Sequence, residues 1–297
     1  MKNQLIRAIT KNDAFRVVVV NATQLVEVAR QKHDTWHTAT AALGRTLVAT
    51  SLLSATEKGD GKISVEIDGD GPVGRIVTEG RADGSIKGFI SQPHVALDLN
   101  EDGKLDVRGA VGTQGTLTVR KHIADYEPFS GQVPLISGEL GEDFTYYMAA
   151  SEQTPAAIGL SVLINPDETV QVAGGFMIQV MPGAGEDAIS QLEKNLSEIE
   201  PLSDLFDKGA TLFELLDKLV GKDEYKVLAE GNLEFCCDCS KKRFSRGLIA
   251  LGQKELIQII EEDGMADTVC HFCNQSYHFT KEELLSLASM VDKSNDE

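Results

Sequence analysis

The apolar positions change period along the chain, and the changes mark out its parts. Residues 15–20 form a nearly unbroken apolar run, the signature of a buried strand. From Thr23 onward Val26, Ala29, Leu43, Leu47 and the stretch to Leu53 recur at helical spacing, with a break near His33 to Thr38. Residues 1–58 are therefore expected to form one strand and two helices. Beyond them the period drops to two: Ile63, Val65 and Ile67 alternate with polar residues, and Ile76 with Val77 and then residues 86–90 follow after turns. Further β-like runs lie at residues 116–119, 145–149, 158–164 and 170–179. Strands joined by hairpin turns, with helices set ahead of them, predict an α+β domain on an antiparallel sheet, spanning residues 1–182.

After Met181-Pro182-Gly183 the pattern becomes helical again and acidic. Residues 186–230 carry twelve Asp or Glu against five Lys. Ile189, Leu192, Leu196 and Ile199 form one stripe, and Thr211-x-x-Glu214 is a capping box opening a helix with Leu215, Leu216 and Leu219. Helices this short rarely persist alone in water, where about 12–15 residues is the lower limit. The segment 183–232 is thus either an ordinary helical layer on the β-domain or a linker whose order depends on its neighbours. A third part, residues 233–297, places Phe244, Leu248, Ile249 and Leu251 on one helix and Leu256, Ile257, Ile259 and Ile260 on a second. Thr280-x-x-Glu283 caps a last helix with Leu284, Leu285 and Leu287.

The chemistry is concentrated in that third part, because all five cysteines of the 297-residue chain lie there. Cys236, Cys237 and Cys239 come first, and Cys270-x-x-Cys273 follows about thirty residues later. Two short clamps of this kind converge on a tetrahedral, thiolate-binding cation, for which Zn²⁺ is the default. At the first clamp Cys236 with Cys239 and Cys237 with Cys239 are both open. His271 and His278 flank the second clamp as substitutes, but four cysteines already complete a tetrahedron. A module of some sixty residues with few aromatics has a poor core, so bound metal is expected to supply part of its folding energy.

Composition narrows the reading further. A mixed N-terminus with Arg7, Lys11, Asp13 and Arg16, and apolar runs too short to span a bilayer, point to a cytoplasmic protein without membrane contact. In that reducing compartment thiols bind metal or sense oxidants rather than form structural disulfides. The formal net charge of −18, from 28 basic and 46 acidic residues, repels phosphate backbones and speaks against nucleic acid. Other motifs carry little. Gly69-Asp70-Gly71-Pro72-Val73-Gly74 has the form of a dinucleotide fingerprint but is followed by β-prone sequence, so a hairpin turn is expected. Asp98-x-Asn100-x-Asp102-Gly103 starts like a calcium loop, yet its twelfth position is Gly109. His33, Trp36 and His37 cluster without a motif around them, and Ser151-Glu152 has neither a nearby His nor a nucleophile elbow. No enzymatic chemistry is expected.

Cys237-Asp238-Cys239-Ser240 with Arg243, Leu251-Gly252, Glu255-Leu256, Val269-Cys270-x-Phe272-Cys273-Asn274, Tyr277 and Phe279 resembles the redox-regulated 33 kDa heat-shock chaperone (33 kDa chaperonin) family. Gly71-Pro72-Val73-Gly74, Gly174-Gly175-Phe176, Gln179 and Met181-Pro182-Gly183-Ala184 extend the resemblance over essentially the whole chain. It implies an ATP-independent holdase, inactive while Cys237, Cys239, Cys270 and Cys273 hold one Zn²⁺. It further implies that oxidation releases the metal, with disulfides Cys237–Cys239 and Cys270–Cys273. The acidic linker then loses order, a homodimer forms, and unfolding client proteins are bound. Cys236 departs from the family pattern and stands as an alternative thiol for the first disulfide. Leu192, Leu196, Leu215, Leu216 and Leu219 are the candidate client-binding surface. The competing readings are a zinc-stabilised protein-interaction module and a C-x-x-C oxidoreductase.

Overall fold

The computed structural model describes residues 3–122 and 128–294. Internal contacts divide the chain into two units, Met1–Cys236 and Cys237–Glu297. The first unit runs β1 (Gln4–Thr10), β2 (Phe15–Asn21), α1 (Thr23–His33), α2 (His37–Ser54), β3 (Lys62–Gly69), β4 (Arg75–Arg81), β5 (Ser85–Ile90), α3 (Val107–Val111), β6 (Gly115–His122) and β7 (Phe129–Pro134). It continues through α4 (Gly141–Ala150), β8 (Ala156–Ile164), β9 (Val170–Val180), α5 (Glu186–Glu198), α6 (Leu202–Asp207), α7 (Leu212–Val220), β10 (Tyr225–Gly231) and β11 (Glu234–Phe235). The second unit holds α8 (Lys241–Leu251), α9 (Gln253–Glu262), β12 (Ala266–Val269), β13 (Ser276–Phe279) and α10 (Lys281–Ser294). The α+β architecture with antiparallel sheets is as the hydropathy pattern predicts.

Two sheets enclose one helix. The first sheet has strand order β10-β1-β2-β9-β8, and the second β11-β5-β4-β3-β6-β7. All pairings are antiparallel except the short β11–β5 contact. Helix α2 packs against β2, β8 and β9 of one and β3, β4 and β5 of the other, and every residue in it except His37 and Arg45 is buried. Burial on all sides demands small residues. A Cβ added at Gly44 would lie 2.8 Å from Val26 and 3.0 Å from Val162. It also demands satisfied hydroxyls: Thr46, Thr50 and Ser51 donate to the carbonyls four residues back at 2.8–2.9 Å, which removes the cost of burying them.

The opposite face of the first sheet carries a separate core. Along β2, Val18 and Val20 face α2, whereas Val17 and Val19 join Ile6, Ala8, Phe15, Val172, Phe176 and Ile178 under α5, α6 and α7. Covering both faces explains why β2 reads as a continuous apolar run rather than an alternating one. The three helices contribute Leu192, Leu205, Phe206, Leu212, Leu215, Leu216 and Leu219 to this second core. Thr211 and Glu214 form the predicted reciprocal cap at the start of α7.

Three local expectations are corrected. Residues 1–58 contain two strands rather than one, since β1 pairs with β2; it fully buries only Ile6, Ala8 and Thr10, a stripe of one large apolar residue, one small and one polar that gives a weak alternating signal. Residues 145–149 are helical: Phe144, Tyr147 and Met148 bury at i, i+3, i+4 spacing. The buried Asp143 carboxylate accepts from the Ile136, Ser137 and Leu140 N–H groups and fixes the first turn. The acidic segment ends in a strand, β10, whose mostly exposed residues are held by pairing with β1, a contact that no local pattern reveals. Elsewhere Gly69 to Arg75 is the expected β3–β4 turn, with Asp68 opposite Arg75. Asn100 to Lys104 is a closed polar turn. Among the described residues no helix is long and apolar enough to cross a membrane.

Candidate metal centre

The first clamp lies on an extended stretch that ends at α8. Ser240 caps that helix by accepting from the Arg243 N–H, and Arg243 pairs with Asp238 at 3.2 Å, so the residues on both sides of Cys239 are fixed. The second clamp is the turn of the β12–β13 hairpin. The Cys273 and Asn274 N–H groups both donate to the Cys270 carbonyl, and the Cys270 N–H donates to the Gln275 carbonyl. Asn274 takes φ 56°, a left-handed conformation that asparagine tolerates better than most residues.

These turns bring Cys237, Cys239, Cys270 and Cys273 together, with the four Sγ atoms all within 4.8 Å of one another. The shortest approaches cross between clamps: Cys237 to Cys270 at 3.7 Å and Cys239 to Cys273 at 3.4 Å. A tetrahedron with metal–sulfur bonds of about 2.3 Å has edges of about 3.8 Å, so the set matches a four-thiolate metal site. All five cysteines are free thiols. Among the described residues this is the one group of His, Cys, Asp or Glu side chains placed to hold a metal.

Burial pushes the Cys237 and Cys273 thiols up. Burial also acts to raise Cys239, but hydrogen bonds from the Tyr277 hydroxyl at 3.1 Å and from Cys273 outweigh it and leave the group below its ordinary value. Its hydrogen bond to Cys239 in turn pushes Tyr277 up to about 12. Sulfurs this close cannot all ionise unless a cation lies among them, so the donor set fits a divalent ion of thiolate preference.

The remaining sequence candidates fall elsewhere. Cys236 is exposed and belongs to the first unit, its N–H donating to the Ile86 carbonyl beside β5. His278 pairs with Asp267 at 2.8 Å, and neither it nor His271 joins the cysteine cluster. His33 is buried, His37 lies 3.7 Å from Glu168, and Trp36 stacks on His94. Glu152 takes part in a structural network with Tyr147 and Lys121. Leu192, Leu215, Leu216 and Leu219 are buried and Leu196 partly so, all against the first sheet. What sequence reasoning missed is the contact of Tyr277, four residues past Cys273, with the Cys239 sulfur, and the apolar sheet face beneath α5–α7.

The comparisons decide the family. The family model described as Hsp33 protein matches residues 3–280. The chain belongs to the Hsp33 family. Curated relatives include the 33 kDa chaperonins of Bacillus licheniformis and Enterococcus faecalis. Both are 50% identical over 287 residues, covering 97% of this chain and 99% and 96% of theirs. That of Bacillus subtilis is 48% identical over 289 residues, with 97% and 99% covered. The crystal structure of the 33 kDa chaperonin (heat shock protein 33 homolog) from Thermotoga maritima superposes with a TM-score of 0.92 at 33% identity. It covers 99% of this chain and 100% of that one. The likeness extends across both units of the Hsp33-family chain, and the resemblance in the cysteine motifs is thereby borne out at the level of the family.

Proposed function

We propose that this protein is a redox-regulated, ATP-independent holdase that binds unfolding proteins in the cytoplasm. The observation that carries the reading is the convergence of four thiols from two clamps in a unit whose own core is small. Cys237, Cys239, Cys270 and Cys273 are the ligands for one Zn²⁺ per chain. When bound, the metal supplies a crosslink between the clamps worth on the order of 10–16 kcal/mol of apparent folding energy. Two thiolates that join as a disulfide give up two electrons, and hydrogen peroxide takes them with two protons and leaves as two waters. Sulfur so paired no longer offers a ligand charge. Closure of Cys237–Cys239 and Cys270–Cys273 therefore removes the donor set and with it the support of the second unit.

The chain then transmits the change. From α7 it reaches Cys237 through β10 and β11. Helices α5, α6 and α7 have 13, 6 and 9 residues and depend on packing for their order. Their release bares Leu192, Leu196, Leu215, Leu216 and Leu219 and the sheet face they cover, a surface suited to unfolded chains and to dimer formation.

The test is zinc content measured beside suppression of client aggregation, before and after peroxide with mild heating. One equivalent of zinc lost together with a gain in holding is the expected result. Zinc lost with holding unchanged would make a zinc-stabilised protein-interaction module the better reading. A second expectation concerns Cys236, which lies outside the converging set: Cys236→Ser should retain one zinc per chain in the reduced protein. A fall to half or less by metal analysis would place Cys236 among the ligands.

A further inference from the structure

We propose that Tyr277 is a positioning residue of this switch, whose hydroxyl holds the Cys239 sulfur across the two clamps and sets how fast the first clamp is oxidised. The proposal rests on the reading of the four cysteines as a thiolate switch and names a residue that regulates it. Tyr277 stands on β13, opposite Thr268 in the hairpin that carries Cys270 and Cys273. Its hydroxyl nevertheless lies 3.1 Å from a sulfur of the other clamp, that of Cys239. The ring is placed by Phe244 of α8, with centroids 5.1 Å apart and planes tilted by 34°. The contact is therefore fixed from both sides, by the hairpin register and by an aromatic neighbour on the helix that the first clamp leads into.

An O–H donated to a thiolate draws charge from the sulfur and lowers its nucleophilicity, and such outer contacts tune metal thiolates generally. In the first clamp, the step that Tyr277 governs is the attack of a Cys239 lone pair on a peroxide oxygen. The O–O bond breaks, hydroxide leaves and takes a proton to become water, and a sulfenic acid remains. A neighbouring first-clamp thiolate then attacks that sulfur. The S–S bond forms, the S–O bond breaks, and a second hydroxide leaves as water. The hydrogen bond opposes the first attack. It is lost once Cys239 is a neutral disulfide sulfur, a poor acceptor, so oxidation of the first clamp also frees the hairpin from its tie.

The test uses the full-length, reduced, zinc-loaded protein and its Tyr277→Phe variant. Remaining thiols are trapped during a peroxide time course and assigned to individual cysteines by peptide fragmentation. Cys239 should be lost on the order of threefold to tenfold faster in the variant, with Cys270 unchanged. The thiolate-to-metal charge-transfer band of the cobalt-loaded variant should shift, a signature that a merely structural tyrosine would leave in place. Phe244→Leu, which keeps the hydroxyl but loosens the ring, should fall between the two, and it decides the matter if Tyr277→Phe fails to fold. An unchanged Cys239 rate with an unmoved cobalt band overturns the proposal, as does equal acceleration at both clamps with zinc lost beforehand. A wild-type chain that binds no zinc overturns the underlying reading as well, and is recognised before any variant is made.

Discussion

Cys273→Ser is expected to unfold residues 237–294 while leaving α2 and the strands packed on it folded. The apolar core of this unit consists of Leu248, Leu256, Ile260, Phe279, Leu284, Leu287 and Ala288, too few side chains to order some sixty residues without help. Cys273 is buried among the sulfurs and approaches Cys239 to 3.4 Å, so its removal breaks the link between clamps, and a serine hydroxyl is a poor substitute ligand. Most of a metal-binding contribution on the order of 10 kcal/mol is then lost. Hydrogen exchange followed by mass spectrometry reads the result by segment. Amides of α8, α9 and α10 should exchange at the unfolded rate, while those of β2, β9 and α2 keep their protection. Full protection of residues 237–294 in a metal-free variant would show that the unit folds on its core alone.

The second large effect is expected at Phe206. In the six-residue helix α6 it is 1% exposed, and its ring lies so close to Gly174 that a Cβ there would sit 2.8 Å from it. Phe206→Ala removes the main anchor of a helix too short to exist alone, at a cost of about 3–5 kcal/mol. Exchange across residues 186–220 should accelerate on the order of a hundredfold or more, and the reduced protein should hold a denatured client without peroxide. Phe213→Ala in α7, at a side chain 41% exposed, is the control and should stay within about 0.5 kcal/mol of wild type. If the helices open after Phe206→Ala and no client is held, the covered face is a structural core only.

Much of this was legible before the structure, and what was not has a physical reason. The spacing of the cysteines marked two clamps, but it left two partners possible at the first. Only the fold separates Cys236, tied beside β5, from Cys237 and Cys239, which meet Cys270 and Cys273. The stripe of Leu192 and Leu196 and the cap at Thr211 were visible because helical order is local. Strand β10 was not, because its order comes from β1, more than two hundred residues away. The run at Thr145 was misread for the opposite reason: β-prone residues were overridden by a buried carboxylate, Asp143, that nucleates a helix. Tyr277 was noted in the sequence as part of the family pattern, yet its reach to Cys239 depends on hairpin register, which the spacing of residues does not encode.

The fully buried strand residues beneath α5–α7 sit on β1, β2 and β9, each already bonded to a strand on either side, whereas the border strands β8 and β10 add only the partly buried Ala157, Leu163 and Tyr225 at the margin. On the proposed reading, a chain landing on the interior of this face would meet methyl groups and aromatic rings but no free row of amides and carbonyls to copy. Adhesion without a template is what separates a temporary keeper from a seed of fibrils. If the proposed surface is the one used, the topology of one sheet would let the protein be sticky towards damaged chains while denying them, over its interior strands, a pattern on which to polymerise.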